Sequence, residues 1–414
     1  PPPPPPPPHF FFFKHKPEYA IRLSLVGSEM CIRDRVNAVN DAPTTEDDTA
    51  STDEDTAVDV SVTASDVEGD DVTFSIVSDA SNGTTSLSFL EIDVASSRVA
   101  MGGAGVSLVS DASSTFWNPA GLAFTKKSDL LFFNQAWIAD INHTYTSFVM
   151  PIDNSSGVGI SLNIMNYGDI EVTSLEFQDG AGEFYKALDY SAGVSYARRF
   201  VEWFGFGATL KFINSQIWHS NASAVSMDLG VQIYTDFLAG DNGKNDGMKL
   251  GMSITNYGTR IKYDGLDLIQ PIDPDDDYGN FGNVLGQYKT SNWELPLIFR
   301  IGVSNNFINL PSHKLNIAID AIHPNNDKER INIGAQYTLN RAELFSFHLR
   351  AGYKGIHIQG IGDGKIRFSS PFGPTCGFGL SLPIEQRIKL KADYAVRYVG
   401  VFGIVNLLTL GLEF

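Results

Sequence analysis

The 414 residues contain only two cysteines, Cys31 and Cys376. So few, so far apart, they supply neither a disulfide framework nor metal-ligand spacing. Long apolar runs are missing too: none reaches the ~18 residues that a membrane-crossing helix needs. A membrane barrel is not excluded by this, because its strands alternate and keep the average hydropathy near neutral. Charge is sparse at 19%, and no basic stripe or cluster marks a nucleic-acid partner. Catalytic signatures are also wanting. There is no G-x-S-x-G elbow and no H-E-x-x-H pair, and GIGDGK at 360–365 lacks P-loop spacing. The sequence therefore leads us to expect neither an enzyme nor a cofactor.

The formal charge of −18 is unevenly spread. Residues 1–35 carry five basic and three acidic groups, residues 36–86 thirteen acidic and no basic, and the remainder 25 basic and 32 acidic. The opening PPPPPPPPHFFFFKHK and the later LVGSEMCIRDR (residues 25–35) resemble a translated homopolymer and a translated sequencing adapter, so residues 1–35 are set outside the fold. Residues 36–88 contain VNDAP, DEDT, AVDVSVTASD and DVEGDDVTFSIV. These stretches resemble the cadherin-like and immunoglobulin-like modules of bacterial adhesins. Asp66, Glu68, Asp70 and Asp71 are weak calcium candidates there, or simply a solvated acidic loop. Such a sandwich takes about 7 strands over about 100 residues, and only about half are present, so the segment is a partial β-sandwich. With no signal peptide ahead of residue 89, a join of unrelated sequences near 86–90 is expected. A genuine adhesin–barrel fusion is the other reading.

From Ser128 onward, apolar and polar residues alternate. Phe204, Phe206, Ala208, Leu210 and Phe212 interleave with Gly205, Gly207, Thr209 and Lys211; Val225, Met227, Leu229 and Val231 interleave with Ser226, Asp228 and Gly230. No helical period persists. Several runs reach the about 9–11 residues that a tilted strand needs to cross a bilayer. Fourteen spans can be drawn, among them 157–166, 187–200, 292–306 and 402–414. If the first strand rises from the periplasm, the long connections at 166–187, 258–291 and 355–373 all fall outside, as barrels prefer. The expected fold is all-β: a closed antiparallel transmembrane barrel over 128–414. Trp137, Trp203, Trp218, Trp293 and Tyr398 near strand ends suit interfacial girdles.

Lys211, Asp228, Arg300, Asp320, Arg350, Lys391, Asp393 and Arg397 fall on the polar, lumen-facing side and carry both signs. Compensating pairs and a solute path are both open to them. His348 joins the same network. Asp273, Asp275, Asp276 and Asp277 cluster in one long loop, which binds calcium or a partner, or is merely solvated. The terminal LLTLGLEF places Leu408, Leu410, Leu412 and Phe414 on one face, and an aromatic carboxyl terminus of this kind is similar to the assembly signal read by the outer-membrane barrel machinery.

FLEIDVASSRVAMGGAGVSLVSDASSTFWNPAGLA, MNYGDIEVTS, YSAGVSYARRF, LPLIFRIGVS, IAIDAIHPNNDKERINIGAQYT, LRAGYK and LTLGLEF together resemble the PorV/PorQ family of outer-membrane proteins, relatives of the FadL channels. The most specific element is NPAG, Asn118–Gly121. Ser96, Ser97 and Ser107 depart from the family's usual residues. The resemblance implies an outer-membrane location and a non-catalytic role in type IX protein secretion, with the translocon and secreted cargo domains as partners. It leaves a FadL-like channel for hydrophobic small molecules, or a structural role, as alternatives. Residues 89–127 then read as a plug or hatch within the lumen, because a fourteen-stranded barrel is too wide for wall side chains to fill. Gly102 and Gly103 would allow close approach, Asn118-Pro119 would set a turn, Gly121 would accept unusual dihedrals, and Trp117 would supply buried area.

Overall fold

The computed structural model describes residues 85–138, 141–173, 178, 180, 182–239, 247–272, 284–341, 344–357, 373–384 and 388–414, with two short strands at 44–45 and 64–65. The chain divides into two units, Pro1–Ala80 and Ser81–Phe414. In the first, Thr44–Thr45 pairs antiparallel with Ala64–Ser65. The adapter-like leader, the acidic candidates Asp66, Glu68, Asp70 and Asp71, the GIGDGK stretch and Asp273, Asp275, Asp276 and Asp277 all lie outside the described residues.

The second unit is a closed antiparallel barrel of fourteen strands. In chain order they are β1 Asp129–Ala136, β2 Asn142–Pro151, β3 Ser156–Glu171, β4 Phe184–Val201, β5 Phe204–Ile217, β6 Ser220–Tyr234 and β7 Lys249–Gly258. The second half comprises β8 Ile298–Asn309, β9 His313–Pro324, β10 Arg330–Arg341, β11 Phe345–Ile356, β12 Pro374–Pro383, β13 Lys389–Tyr398 and β14 Ile404–Glu413. Each pairs with its chain neighbours, and β14 closes the ring on β1 through Leu410↔Phe132 and its flanking residues. Closure removes both sheet edges, so no ladder group is left unpaired towards lipid.

Period-2 alternation decides which way each side chain points. On β4, Val194 and Tyr196 face outward while Ser191 and Ser195 are buried inward; on β5, Leu210 is 60% exposed beside buried Thr209. Exposed apolar groups on a barrel exterior are the surface lipid covers. Connections at 172–183, 259–297 and 357–373 share one end, and the turns at 152–155, 202–203, 310–312 and 384–388 share the other. The long-loop end is the outer one. Phe414 ends at the inner rim, where its backbone exchanges hydrogen bonds with Ser128 and its ring stacks on Phe148 at 6.2 Å.

Strand limits differ from the sequence reading where local chemistry intervenes. β3 and β4 run past Asn166, through a register shift between Asn166 and Asp169, to Glu171 and back from Phe184. The β3–β6 strands of 16, 18, 14 and 15 residues therefore raise a wall above the bilayer. β8 begins at Ile298, not 292, because Pro296 cannot donate to a ladder and Trp293 forms only a lone bridge to Ile261. Trp203, Trp218 and Tyr398 are exposed near strand ends, whereas Trp137 and Trp293 pack inward on apolar clusters.

Leu210→Arg puts a guanidinium against the lipid near the middle of β5 and should cost about 2–4 kcal/mol, against about 1 or less for Gln216→Arg near the strand's end. Urea titration of liposome-refolded protein, read by gel mobility, checks the contrast.

Candidate functional site

The lumen is filled by residues 85–128, which enter at the outer mouth and leave at the inner rim. At the top, Ser86 N–H donates to Glu294 O at 3.0 Å, and Asn326 Nδ2 donates to Thr85 Oγ1 and Glu91 Oε1 at 2.8 and 2.6 Å. Leu87, Phe89 and Leu90 are buried beneath this point. The barrel unit thus takes in residues ahead of the position-89 boundary drawn from the sequence, because these apolar side chains find their burial only inside the mouth.

Most of the descending segment has no regular structure, so its backbone groups need partners from the wall. Asp320 Oδ2 accepts from Gly105 N–H and Val106 N–H at 2.7 and 2.9 Å. Asp129 Oδ2 accepts from Ala112 N–H at 2.9 Å, Thr409 Oγ1 from Ser96 N–H at 2.8 Å, and Thr375 Oγ1 from Gly102 N–H at 2.9 Å. Only short helices survive: a 3-10 turn over Ser88–Glu91, α1 Ser96–Val99, α2 Ser114–Trp117, and a second 3-10 turn over Pro119–Phe124.

The NPAG element joins plug to wall. Asn118 Nδ2 donates to Val106 O within the plug at 2.8 Å and to Val231 O on β6 at 2.9 Å, while its Oδ1 accepts from Ala120 N–H. Pro119 opens the 3-10 turn, where a missing N–H costs nothing. The turn lies against wall glycines. A Cβ on Gly207 would stand 2.5 Å from Pro119 C, and one on Gly230 would stand 2.1 Å from Asn118 Oδ1. Gly121 is needed for room and not for its dihedrals: a Cβ there would meet Val109 O at 2.4 Å. Gly102 needs both, with φ +70 and Tyr353 O at 2.7 Å from a would-be Cβ. Trp117 is fully buried, donates Nε1–H to Val94 O at 3.1 Å, meets Phe116 edge-on and lies 5.7 Å beneath the Arg300 guanidinium.

Of the lumen charges read from the sequence, two sets pair with each other: Lys211 Nζ with Asp228 Oδ1 at 2.8 Å, and Arg350 Nη1 with Asp393 Oδ1 at 2.5 Å. Lys391 instead reaches Asp129 and Glu413, at 3.0 and 2.9 Å. Arg397 meets Asp93 of the plug at 3.3 Å and stacks over Trp137 at 4.8 Å, with Lys354 on the same carboxylate. Arg300 Nη1 donates to Thr255 Oγ1 at 3.0 Å. Asp93 and Asp129 were not singled out from the sequence. A plug acidic residue set against two wall cations is a long-range pairing with no spacing signal. His348 is hydrogen-bonded to Thr338 Oγ1 at 3.0 Å.

Leu410 and Phe414, which the sequence reading expects in an assembly signal, are exposed on the outer face, and Leu412 is half-buried there. Cys376 is a free thiol on the exposed face of β12. Among the described residues no group of His, Cys, Asp and Glu could hold a metal, and no helix is long and apolar enough to cross a membrane.

Above the mouth, Asp267 of the β7–β8 connection clamps the β5–β6 turn. It accepts from His219 N–H at 2.9 Å, lies 2.8 Å from His219 Nδ1, and takes the Ser220 hydroxyl at 3.1 Å. Slight burial pushes its carboxyl up, but the hydrogen bonds from His219 and Ser220 outweigh that and hold it below the usual carboxylate range.

The sequence profile of the family described as type IX secretion system protein PorV matches residues 77–275, and that of a bacterial Ig domain matches residues 40–99. The last part of the Ig match, from Thr85, lies within the barrel lumen. None of the curated proteins matches the chain. Solved structures that it is similar to include the CymD monoaromatic hydrocarbon channel (11% identity, 77% of this chain and 96% of that one, TM-score 0.48). The toluene transporter TodX of Pseudomonas putida is another (10%, 76% and 96%, TM-score 0.46). A FadL homologue of Pseudomonas aeruginosa is a third (10%, 80% and 99%, TM-score 0.45).

Gly207→Val should drive the NPAG turn off the wall at a cost of about 1–3 kcal/mol while leaving the barrel closed. Tryptic cleavage at exposed Lys126 and Lys127 should then accelerate, and Ala208→Val on the lipid side should leave it unchanged. The Asp267 clamp should respond to acid. A depressed carboxyl stabilises above its unfolded value of about 3.9 and lets go as pH falls through its lower folded value. Amide exchange at His219, corrected for intrinsic rate, should hold steady from pH 7 to about 5 and quicken only below about 4.

Proposed function

We propose that this chain, an outer-membrane β-barrel of PorV type, serves type IX protein secretion without catalysing a reaction, engaging secreted cargo domains or the translocon through its outer connections. The observation that carries this reading is the PorV profile match over residues 77–275, which takes in the plug and the first seven strands. Chemistry points the same way. Residues 85–128 run through the lumen, and the wall facing them holds Asp228, Arg300, Asp320, Arg350 and Arg397, all buried. Such a wall suits a fixed scaffold better than a route for apolar solutes, which would have to pass desolvated charge. The 259–297 connection and the raised β3–β6 wall offer the surface at which a protein partner would dock.

In this reading Gly102, Gly103, Trp117, Asn118, Pro119 and Gly121 fasten the plug, and the lumen charges keep it there. Leu410, Leu412 and Phe414 address the barrel assembly machinery. Residues 36–80 are a partial Ig-like fragment that comes before the barrel unit in the chain.

In a strain whose own copy of the gene is deleted, secreted cargo should accumulate in the periplasm and return to the medium on complementation. A version with residues 268–290 replaced by a short Gly-Ser linker should assemble in the outer membrane, judged by heat-modifiable mobility, yet fail to restore secretion. Undiminished cargo in the medium of the deletion strain would sink the proposal.

A further inference from the structure

The outer mouth contains an apolar groove lined by Met165, Ile213, Ala222, Ala224, Ile261 and Leu295, drawn from β3, β5, β6 and the β7–β8 connection. Leu87, Phe89 and Leu90 of the chain's own entering segment fill it, each at most 6% exposed. The seating is that of a bound peptide. Thr85 makes a parallel bridge to Glu294, and the Ser86 amide extends it with a hydrogen bond. Asn326 then takes one side-chain oxygen at each end, Thr85 Oγ1 and Glu91 Oε1.

The segment is not seated at ease. Leu87 within it and Ala95 just beyond it have φ of 66 and 67, left-handed values that L side chains rarely adopt. Its polar tether, Asp93 on Lys354 and Arg397, lies outside the groove, so the apolar stretch can lift while that anchor holds. Four of the six lining residues, Met165, Ile213, Ala222 and Ala224, stand on β3, β5 and β6 and are paired through the barrel ladder. The groove is thus mostly barrel wall, and its occupant carries the strained backbone.

We infer that the outer-mouth groove is a docking site for a short apolar segment of a secreted protein, seated as one helical turn entered through a single strand-type bridge, and that residues 85–92 are a strap occupying it until that segment displaces them. The one bridge at Thr85 supplies a backbone anchor, and the 3-10 turn over Ser88–Glu91 holds Phe89 and Leu90 beside Leu87, so the pockets under them select closely spaced large apolar side chains. This rests on the secretion reading above, and supplies the recognition chemistry that reading lacks.

The test uses the full chain in detergent, in a Cys31→Ser, Cys376→Ser background, and a fluorescein-labelled peptide copying residues 84–95. Phe89→Ala with Leu90→Ala in the chain should loosen the strap and tighten peptide binding at least tenfold over the parent. Thr85→Cys with Glu294→Cys, joined by oxidation, should weaken binding at least tenfold relative to its own reduced form. A peptide with serine in place of both Phe89 and Leu90 should not compete. Equal binding by the oxidised and reduced forms overturns the strap, and this arm decides even if the loosened variant fails to fold. Cargo secretion read in parallel separates the two ideas. Secretion lost in the gene deletion but indifferent to the disulfide sinks the groove and spares the secretion role. Secretion unaffected by deletion sinks that role whatever the peptide does.

Discussion

A ring of fourteen strands encloses more space than its own inward side chains can occupy, and something must take up the remainder without stranding polar backbone in a poorly hydrated interior. Here the chain's own residues 85–128 do so. Their irregular path is permitted because wall groups meet their amides: Asp320 at Gly105 and Val106, Asp129 at Ala112, Thr409 at Ser96, Thr375 at Gly102. Carboxylates are well suited to this task, since one oxygen can take two N–H donors at once and charge-assisted hydrogen bonds are short and strong.

The two sides of the plug are held by different physics. Towards β1, β2, β13 and β14 it packs against an apolar cluster that includes Leu131, Phe133, Tyr145, Val149 and Leu407. Towards β6–β9 it meets Arg300, Asp320 and the bare backbone of Gly230, which lets Asn118 reach the wall. Apolar contact dominates on the first side, where Asp129, Thr409 and Arg397 also give it direction, and polar contact dominates on the second. Near the outer mouth the emphasis changes again: Leu87, Phe89 and Leu90 are gripped by side chains of strands and loop, yet flanked by strained backbone.

The proposed secretion role would place its demands on the outer end, and there the strands are longest. β3–β6 rise past the length a bilayer requires, and the β7–β8 connection folds back onto them through Asp267. In the proposed role, a threaded lumen beneath a raised rim would let the outer surface receive proteins while the barrel below stays filled.

Alternation alone was enough to read the strands, their even number, their handed loop lengths and the outward face of Val194, Tyr196 and Leu210, because a period of two between lipid and lumen is written residue by residue. The NPAG turn was legible for a similar reason: its chemistry is local. What alternation could not reveal is that Phe133, Tyr145 and Leu407 point inward despite being apolar, since a strand carries no sign of what will lie against its lumen face. Nor could it reveal that Asp93 would meet Lys354 and Arg397, or that Gly207 and Gly230 make room for Pro119 and Asn118. Those pairings join residues that are distant along the chain, and only closure of the ring around the threaded segment brings them within reach.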